Sequence, residues 1–221
     1  MSDSLKMIIG IIGGTGELGS GLAKAWARAG HHVVIGSRSR DKAIGFAETL
    51  GPGVTGADNA EAARAADIIV LTVPFSNHAA TIAEIRDAVQ GKIVVDATVP
   101  LVPPKVSLVQ LPAAGSAAQI AQGLLGDGVR VVSAFHNVGA AKLHAFGRAE
   151  CDVLVFGDDK EARNKVVELA GAVATRGIAG GSLANSAAAE ALTSVLIWIN
   201  RHYKVAGAGI AITGLGDANL A

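Results

Sequence analysis

The sequence predicts an α/β fold of the Rossmann type: a doubly wound, mainly parallel sheet with a C-terminal helical segment. Three observations predict it. Short apolar, β-branched runs alternate with amphipathic stretches of helical period along most of the 221 residues. Those runs are continuously apolar, as strands covered on both faces are. The first of them passes straight into a glycine-rich turn that opens a helix, Gly13-Gly14-Thr15-Gly16-Glu17-Leu18-Gly19.

Each element has its own signal. Met7–Ile12 is a buried strand bounded by Gly13 and Gly14, and Leu18–Ala29 is a helix with Gly30 as its C-cap. His32–Ile35 is a second strand, followed by a helix over Arg40–Leu50 that ends at Gly51. Asp58 and Glu61 have capping-box spacing for a short helix through Ala66. Asp67–Val73 is a fully buried strand stopped by Pro74, Ser76 caps a helix to Val89, and Lys92–Ala97 is another strand. Four prolines between Val99 and Gly115 demand an extended loop. A helix over Ser116–Leu125 and strands at Val129–Phe135 and Cys151–Phe156 follow. Asp159–Val173 is amphipathic, with Val166, Leu169, Ala170 and Val173 on one face. Ala174–Ile178 reads as a last strand, and a long helix runs from about Asn185 to Lys204. The expected organisation is a nucleotide-binding domain over residues 1–181, with a C-terminal helix and tail over 182–221 too short for a core of their own.

Composition narrows the function. Half the residues are hydrophobic and mean hydropathy is +0.42, enough for a core without staples. With 19 basic and 19 acidic residues there is no electrostatic footprint for nucleic acid or an anionic membrane surface. The single cysteine, Cys151, cannot form an internal disulfide and suggests a reducing compartment. The short polar start shows no targeting segment, and Ala187–Ile199 is too short for a membrane span, so a cytoplasmic location is expected. No Cys/His cluster has metal-ligand spacing, so no metal is expected.

Gly14, Gly16 and Gly19 fit the dinucleotide fingerprint in its required strand–turn–helix context. Gly14 is expected to make the tight turn, Gly16 to admit a pyrophosphate to the backbone, and Gly19 to let helix and strand pack closely. The helix start at Thr15, Glu17 and Leu18 then offers N–H donors and a positive dipole end. An NAD site carries an acid at the end of the second strand. This chain has Gly36-Ser37-Arg38-Ser39-Arg40-Asp41-Lys42 instead. A hydroxyl and cations suit a 2′-phosphate, so the expected cofactor is NADP(H).

Ligands of such sheets sit beyond the strand C-termini. Those ends are Val73, Pro74, Phe75 and His78; Thr98, Val99 and Pro100; and His136, Asn137 and Val138. His136 is the histidine that stands out, at a strand end aimed into the cleft, whereas His31 and His32 are expected at the surface. Tyr203 is the only tyrosine and Gly207 lies four residues on, which disfavours the Tyr–Lys alcohol chemistry of short-chain dehydrogenases. Nothing supports a Ser–His–Asp site, because no G-x-S-x-G is present. A site poor in acids fits hydride transfer to an acceptor that needs little acid catalysis.

The glycine loop with Gly36-Ser37-Arg38 resembles the NADPH-dependent coenzyme F420 reductases. Leu71-Thr72-Val73-Pro74-Phe75, Val131-Val132-Ser133-Ala134-Phe135-His136, Phe156-Gly157-Asp158-Asp159 and Leu183-Ala184-Asn185-Ser186 also match, in order and at similar spacing. The resemblance implies hydride exchange between NADP(H) and the deazaflavin coenzyme F420 stacked on the nicotinamide. It implies that Thr15, Ser37, Arg38 and Lys42 hold the 2′-phosphate. Pro74, Phe75 and His136 would border the two reacting rings, with His136 positioning them, and Asn137, Val138, Asn185 and Ser186 would belong to the second-substrate pocket. Two departures are visible: Ala187 stands where the family often has Arg, and Asn137-Val138-Gly139 replaces a Thr-containing stretch. The nucleotide half also resembles the cytosolic domain of STEAP-family ferric reductases.

Two alternatives remain open from the residues. One is a same-fold NADPH-dependent reductase of a small carbonyl, imine or hydroxy acid. The other is an NADPH-sensing binding protein without turnover. Leu192, Val195, Leu196 and Ile199 form an apolar face that suits either the core or a dimer seam; with Trp198 and the tail Gly207–Gly216 fitting a subunit contact, a homodimer is expected.

Overall fold

The structure, a computed structural model, describes residues 6–215. The polar start before Lys6, Gly216 of the glycine-rich tail and the end of the expected 182–221 segment lie outside the described residues. Strands β1 (Ile8–Ile12), β2 (His32–Ser37), β3 (Val54–Asp58), β4 (Ile68–Leu71), β5 (Ile93–Asp96) and β6 (Arg130–Ser133) form one sheet in the order β3-β2-β1-β4-β5-β6. Every pairing in it is parallel. The chain reverses its winding between β1 and β4, which opens a crevice at their C-terminal ends.

The continuous apolar runs are now explained by which layer each residue enters. Ile9 and Ile11 of β1 and Ile68 and Val70 of β4 pack on one face, against α1 (Glu17–Arg28), α2 (Arg40–Glu48) and α7 (Lys160–Val173). Ile12, Ile69 and Leu71 pack on the other, against α3 (Asn59–Ala65), α4 (Phe75–Ile85) and α5 (Ala117–Leu125). Alternate residues thus serve opposite cores, as strand geometry requires. Trp26 of α1 is fully buried, donates its indole N–H to the Leu169 carbonyl at 2.9 Å, and meets the Phe135 ring edge-on at 5.6 Å.

Several elements differ from expectation. The edge strand β3 was not anticipated, because Thr55-Gly56-Ala57 carries little β-propensity and the strand is held by β2 alone. Helix α6 (Ala140–Phe146) was also missed. Strands β7 (Ala149–Val155) and β8 (Ala174–Ala179) form a separate two-stranded parallel sheet; an isolated antiparallel bridge between Ser133 and Phe156, just after β7, links it to the main one. Helix α4 starts at Phe75 with Pro74 as N-cap, not at Ser76; proline lacks the N–H that a helix start would leave unpaired. His31 is buried rather than exposed, its Nδ1 accepting from the Met7 N–H at 3.4 Å.

The C-terminal segment is a 3-10 turn (Leu183–Asn185), helix α8 (Ser186–Tyr203) and an extended tail. The tail lies along β7: the Asp152 N–H donates to the Ile210 carbonyl at 2.8 Å. Arg176 on β8 clamps it, donating to both Asp152 oxygens at 2.8 and 2.5 Å and to the Ile212 carbonyl at 3.0 Å. No helix among the described residues is long and apolar enough to cross a membrane.

Candidate functional site

The crevice at the β1–β4 reversal holds two cavities that share Gly16, Thr72, Val73 and Pro74. The first, about 380 Å³, extends over β1 and β2 and is lined by Gly13, Thr15, Gly16, Ser37 and Arg38, with Asn59 and one side of α4 also in its wall. The second, about 520 Å³, extends toward β5 and is more apolar, with Glu17, Leu18, Phe75, Thr98, Val99, Leu101 and Pro103 in its wall. A continuous two-lobed cleft across a sheet reversal has the shape an extended dinucleotide needs.

The glycines divide by role. Gly13, rather than Gly14, adopts the left-handed conformation (φ 78°) that makes the turn. Gly14 is buried: a Cβ there would lie 2.8 Å from the Ile11 carbonyl oxygen and from the Ile35 side chain. A Cβ on Gly19 would lie 2.7 Å from Gly14 Cα and from Thr72 Oγ1. These two are packing positions. At Gly16 a Cβ would meet nothing closer than the Gly13 carbonyl oxygen at 3.5 Å. The protein itself leaves room for a side chain there, so the open cradle over the start of α1 fits a group brought in from outside, as a pyrophosphate would be.

The cationic corner is equally specific. Arg38 is exposed, lines the first cavity and has no hydrogen bond or ion pair with the described residues. Arg40 is already paired with Glu61 at 2.5 Å. Lys42 lies on the exposed side of α2 and does not line the cavity, which corrects its expected place beside Ser37 and Arg38. Ser37 ends β2 and Thr15 precedes α1, both in the cavity wall.

Beneath the cleft runs a polar layer that sequence reasoning did not find. Asp96 is fully buried at the end of β5; it accepts from the Thr98 N–H at 2.9 Å and faces His78 Nε2 at 2.7 Å. His78 therefore sits in the floor and lines neither lobe, contrary to expectation, because the buried carboxylate draws it inward. Phe75 stacks over it, ring centroids 6.1 Å apart, and faces the second lobe. Glu190 of α8 is 1% exposed and accepts from the N–H groups of Ala117 and Ala118 at the start of α5, at 2.7 and 3.2 Å. Burial pushes its carboxyl up to about 7, opposed by those two N–H groups. An isolated acid in an otherwise apolar helix was the one available signal for it.

His136 follows Phe135, whose backbone is left-handed (φ 70°) despite its bulk, a strained conformation pinned by Trp26. Ser133 Oγ lies 3.2 Å from His136 Nε2, and burial brings the imidazole down to about 4, so it is neutral at physiological pH. His136, Asn137 and Val138 line a third cavity of about 130 Å³ with Thr193, Leu196, Ile197 and Asn200 of α8. That cavity shares no residue with the two lobes. Asn185 and Ser186 are not brought to it. Ser186 is fully buried and donates to Ser116 Oγ at 2.8 Å, and exposed Asn185 donates to the Gly180 carbonyl at 3.0 Å. Both tie the start of α8 to neighbouring segments, Ser186 to the start of α5 and Asn185 to the turn after β8, and neither side chain caps the helix.

Comparison with known proteins agrees with this geometry. The family model for coenzyme F420-dependent NADP oxidoreductases matches residues 8–100, which carry both lobes of the cleft except part of the second wall. The F420-dependent NADP reductase of Methanothermobacter marburgensis is 38% identical over 224 residues, 96% of this chain and 100% of that protein. The protein of the same name from Methanothermobacter thermautotrophicus is 40% identical over 96% of this chain and 97% of its own length. A crystal structure from Arthrobacter sp. FB24, provisionally named an F420-dependent NADP reductase, superposes with a TM-score of 0.77 at 25% identity, covering 94% of this chain and 99% of that one. Similar over 96% of its length to reductases of one kind, and built around an open glycine cradle with an arginine beside it that has no partner among the described residues, this chain belongs to the F420-dependent NADP reductase family.

Proposed function

We propose that the protein is an oxidoreductase that transfers a hydride between NADP(H) and the deazaflavin coenzyme F420. The observation that carries the nucleotide half is Arg38: a guanidinium without a partner among the described residues, beside Ser37, where an NAD site would place an acid. The family relationship supports the deazaflavin half. Bound NADPH supplies the hydride, which the deazaflavin accepts at one carbon. The protein's contribution is placement. Gly16 and the amides opening α1 hold the pyrophosphate, with Glu17 and Leu18 continuing into the second lobe. Thr15, Ser37 and Arg38 take the 2′-phosphate. Val73, Pro74 and Phe75 form the apolar floor against which the nicotinamide lies, and proximity does most of the catalytic work.

His136 acts as a positioning residue rather than a proton donor, since its imidazole is neutral. Asn137, Val138 and α8 wall a small separate cavity beside it, which we assign to a peripheral part of the second substrate, the deazaflavin ring itself lying over the nicotinamide in the second lobe. Within the C-terminal segment, α8 and the residues Gly207 and Ala208 after it line that pocket. Exposed Val195, Trp198 and Tyr203 on α8 support a homodimer contact, and a reducing, cytoplasmic setting suits the free, buried Cys151.

The test is spectroscopic. F420 is mixed with the protein and either NADPH or NADH. Loss of the deazaflavin absorption with NADPH, and far slower loss with NADH, is the expected result. No loss at saturating NADPH refutes the proposal. Arg38→Ala should weaken NADPH binding by about 10- to 100-fold, as expected for a charge-assisted phosphate contact, and should leave NADH binding nearly unchanged.

A further inference from the structure

The first lobe has a wall that phosphate binding does not explain. Asn77, Ala80, Thr81 and Glu84 of α4 line it, at helical spacing that puts all four on one stripe. The stripe ends in a carboxylate. A free carboxylate in a cavity meant for an anionic ligand repels that ligand unless it meets a donor.

Glu84 is held in place. Asn59 Nδ2 donates to Glu84 Oε2 at 2.9 Å. Asn59 is itself only 3% exposed and sits in the first turn of α3, where Asp58 caps the helix by accepting from the Glu61 N–H at 2.8 Å. Glu84 Oε1 has no hydrogen-bond partner among the described residues. Glu84 therefore presents a fixed, unused carboxylate oxygen in the wall of the lobe that also holds Ser37 and Arg38, with small Ala80 on the same helix stripe; buried Asn59 Oδ1 is likewise without a partner among the described residues.

Resting on the NADP(H) reading, the remaining assignments follow by elimination. The pyrophosphate lies at Gly16 and the ribose phosphate at Ser37 and Arg38. The part of the nucleotide left to face α4 is the purine, and its outward donor is the exocyclic amino group of adenine. We infer that Glu84, oriented by Asn59, reads that amino group and makes the site discriminate adenine from 6-oxo purines. Hypoxanthine would turn a carbonyl oxygen toward the carboxylate, acceptor against acceptor. Asn59 is a positioning residue in this scheme.

Dissociation constants for NADPH and for its hypoxanthine analogue, reduced nicotinamide hypoxanthine dinucleotide phosphate, test the inference by calorimetry. The wild-type protein should prefer NADPH by about tenfold or more, the scale of one lost hydrogen bond to a charged group. Glu84→Ala lies on an exposed helix position and should fold normally. It should bring the ratio close to one, chiefly by weakening NADPH. A wild-type ratio near one, or a large ratio that survives in Glu84→Ala, overturns the inference while leaving NADP(H) binding intact. Binding of neither nucleotide to the wild-type protein overturns the dinucleotide reading, and this inference with it.

Discussion

Gly16 and Gly19 belong to one motif, yet the structure assigns them opposite physical burdens, so alanine at each should fail differently. At Gly16 the backbone is extended (φ −79°, ψ 166°), a conformation any residue adopts, and a new Cβ contacts only the Gly13 oxygen at 3.5 Å. The stability cost is that of replacing a glycine N-cap by alanine, about 1 kcal/mol at most. For a domain this size that lowers Tm by about 2–4 °C. The methyl group projects into the space claimed for the pyrophosphate. Pushing a diphosphate off one amide forfeits a charge-assisted hydrogen bond of about 1.5–3 kcal/mol, so the NADPH dissociation constant should rise by about 10- to 150-fold. Gly19→Ala is the converse. Its Cβ would sit 2.7 Å from Gly14 Cα, a backbone atom that cannot step aside without moving the turn. Overpacking of that kind costs about 1–3 kcal/mol. Thermal unfolding with and without NADPH, together with calorimetric titration, separates the two. Gly16→Ala should unfold almost like the wild type but gain little Tm from NADPH; Gly19→Ala should unfold earlier and still be rescued by ligand. Wild-type affinity in Gly16→Ala refutes the assignment of the open cradle.

The remaining expectations concern groups outside the cleft. Arg176→Met should free the tail along β7 and destabilise the fold by about 3 kcal/mol, because the nearly fully buried Asp152 carboxylate loses its cation; limited proteolysis should then cut between 205 and 215, and an uncut tail would contradict this. The hydrogen bonds from Arg176 hold the Asp152 carboxyl below its ordinary value. The stability it contributes is therefore present at neutral pH and lost as pH falls through the acidic range, a loss that Asp152→Asn should abolish in acid titrations. Glu190 has the opposite sign. Its carboxyl is raised from 4.5 to about 7, so its contribution is full in acid and declines as pH climbs through 7. The change is worth about 3 kcal/mol. Denaturant melts at pH 5 and 8 should show this difference in the wild type and not in Glu190→Gln; equal pH dependence in the two would refute it.

The sequence by itself determined the architecture and pointed to the nucleotide cofactor. Continuous apolar runs identify doubly covered strands, since burial on both faces removes the polar alternation. The glycine spacing and the absent acid at Ser37 and Arg38 are local facts, carried by residues near one another in the chain. Prolines marked the loop over 99–115, and Asp58, Ser116 and Asp159 each supply the side-chain N-cap bond of the helix that follows. What failed was local too: the edge strand β3 has too little apolar character to announce itself, and it forms because β2 offers an unpaired edge.

Only the tertiary structure decided what depends on distant partners. It turned Gly14 into a packing residue and moved the turn to Gly13. It left Arg38 without a partner among the described residues while pairing Arg40 with Glu61, a difference between two arginines in the same short segment. It drew His78 under the cleft to Asp96, 18 positions away, and set Glu190 on the start of α5, more than 70 positions away. It took Asn185 and Ser186 out of the expected pocket and gave them to the start of α8. Buried polar groups must find partners wherever the fold brings them, and that search runs through space rather than along the chain.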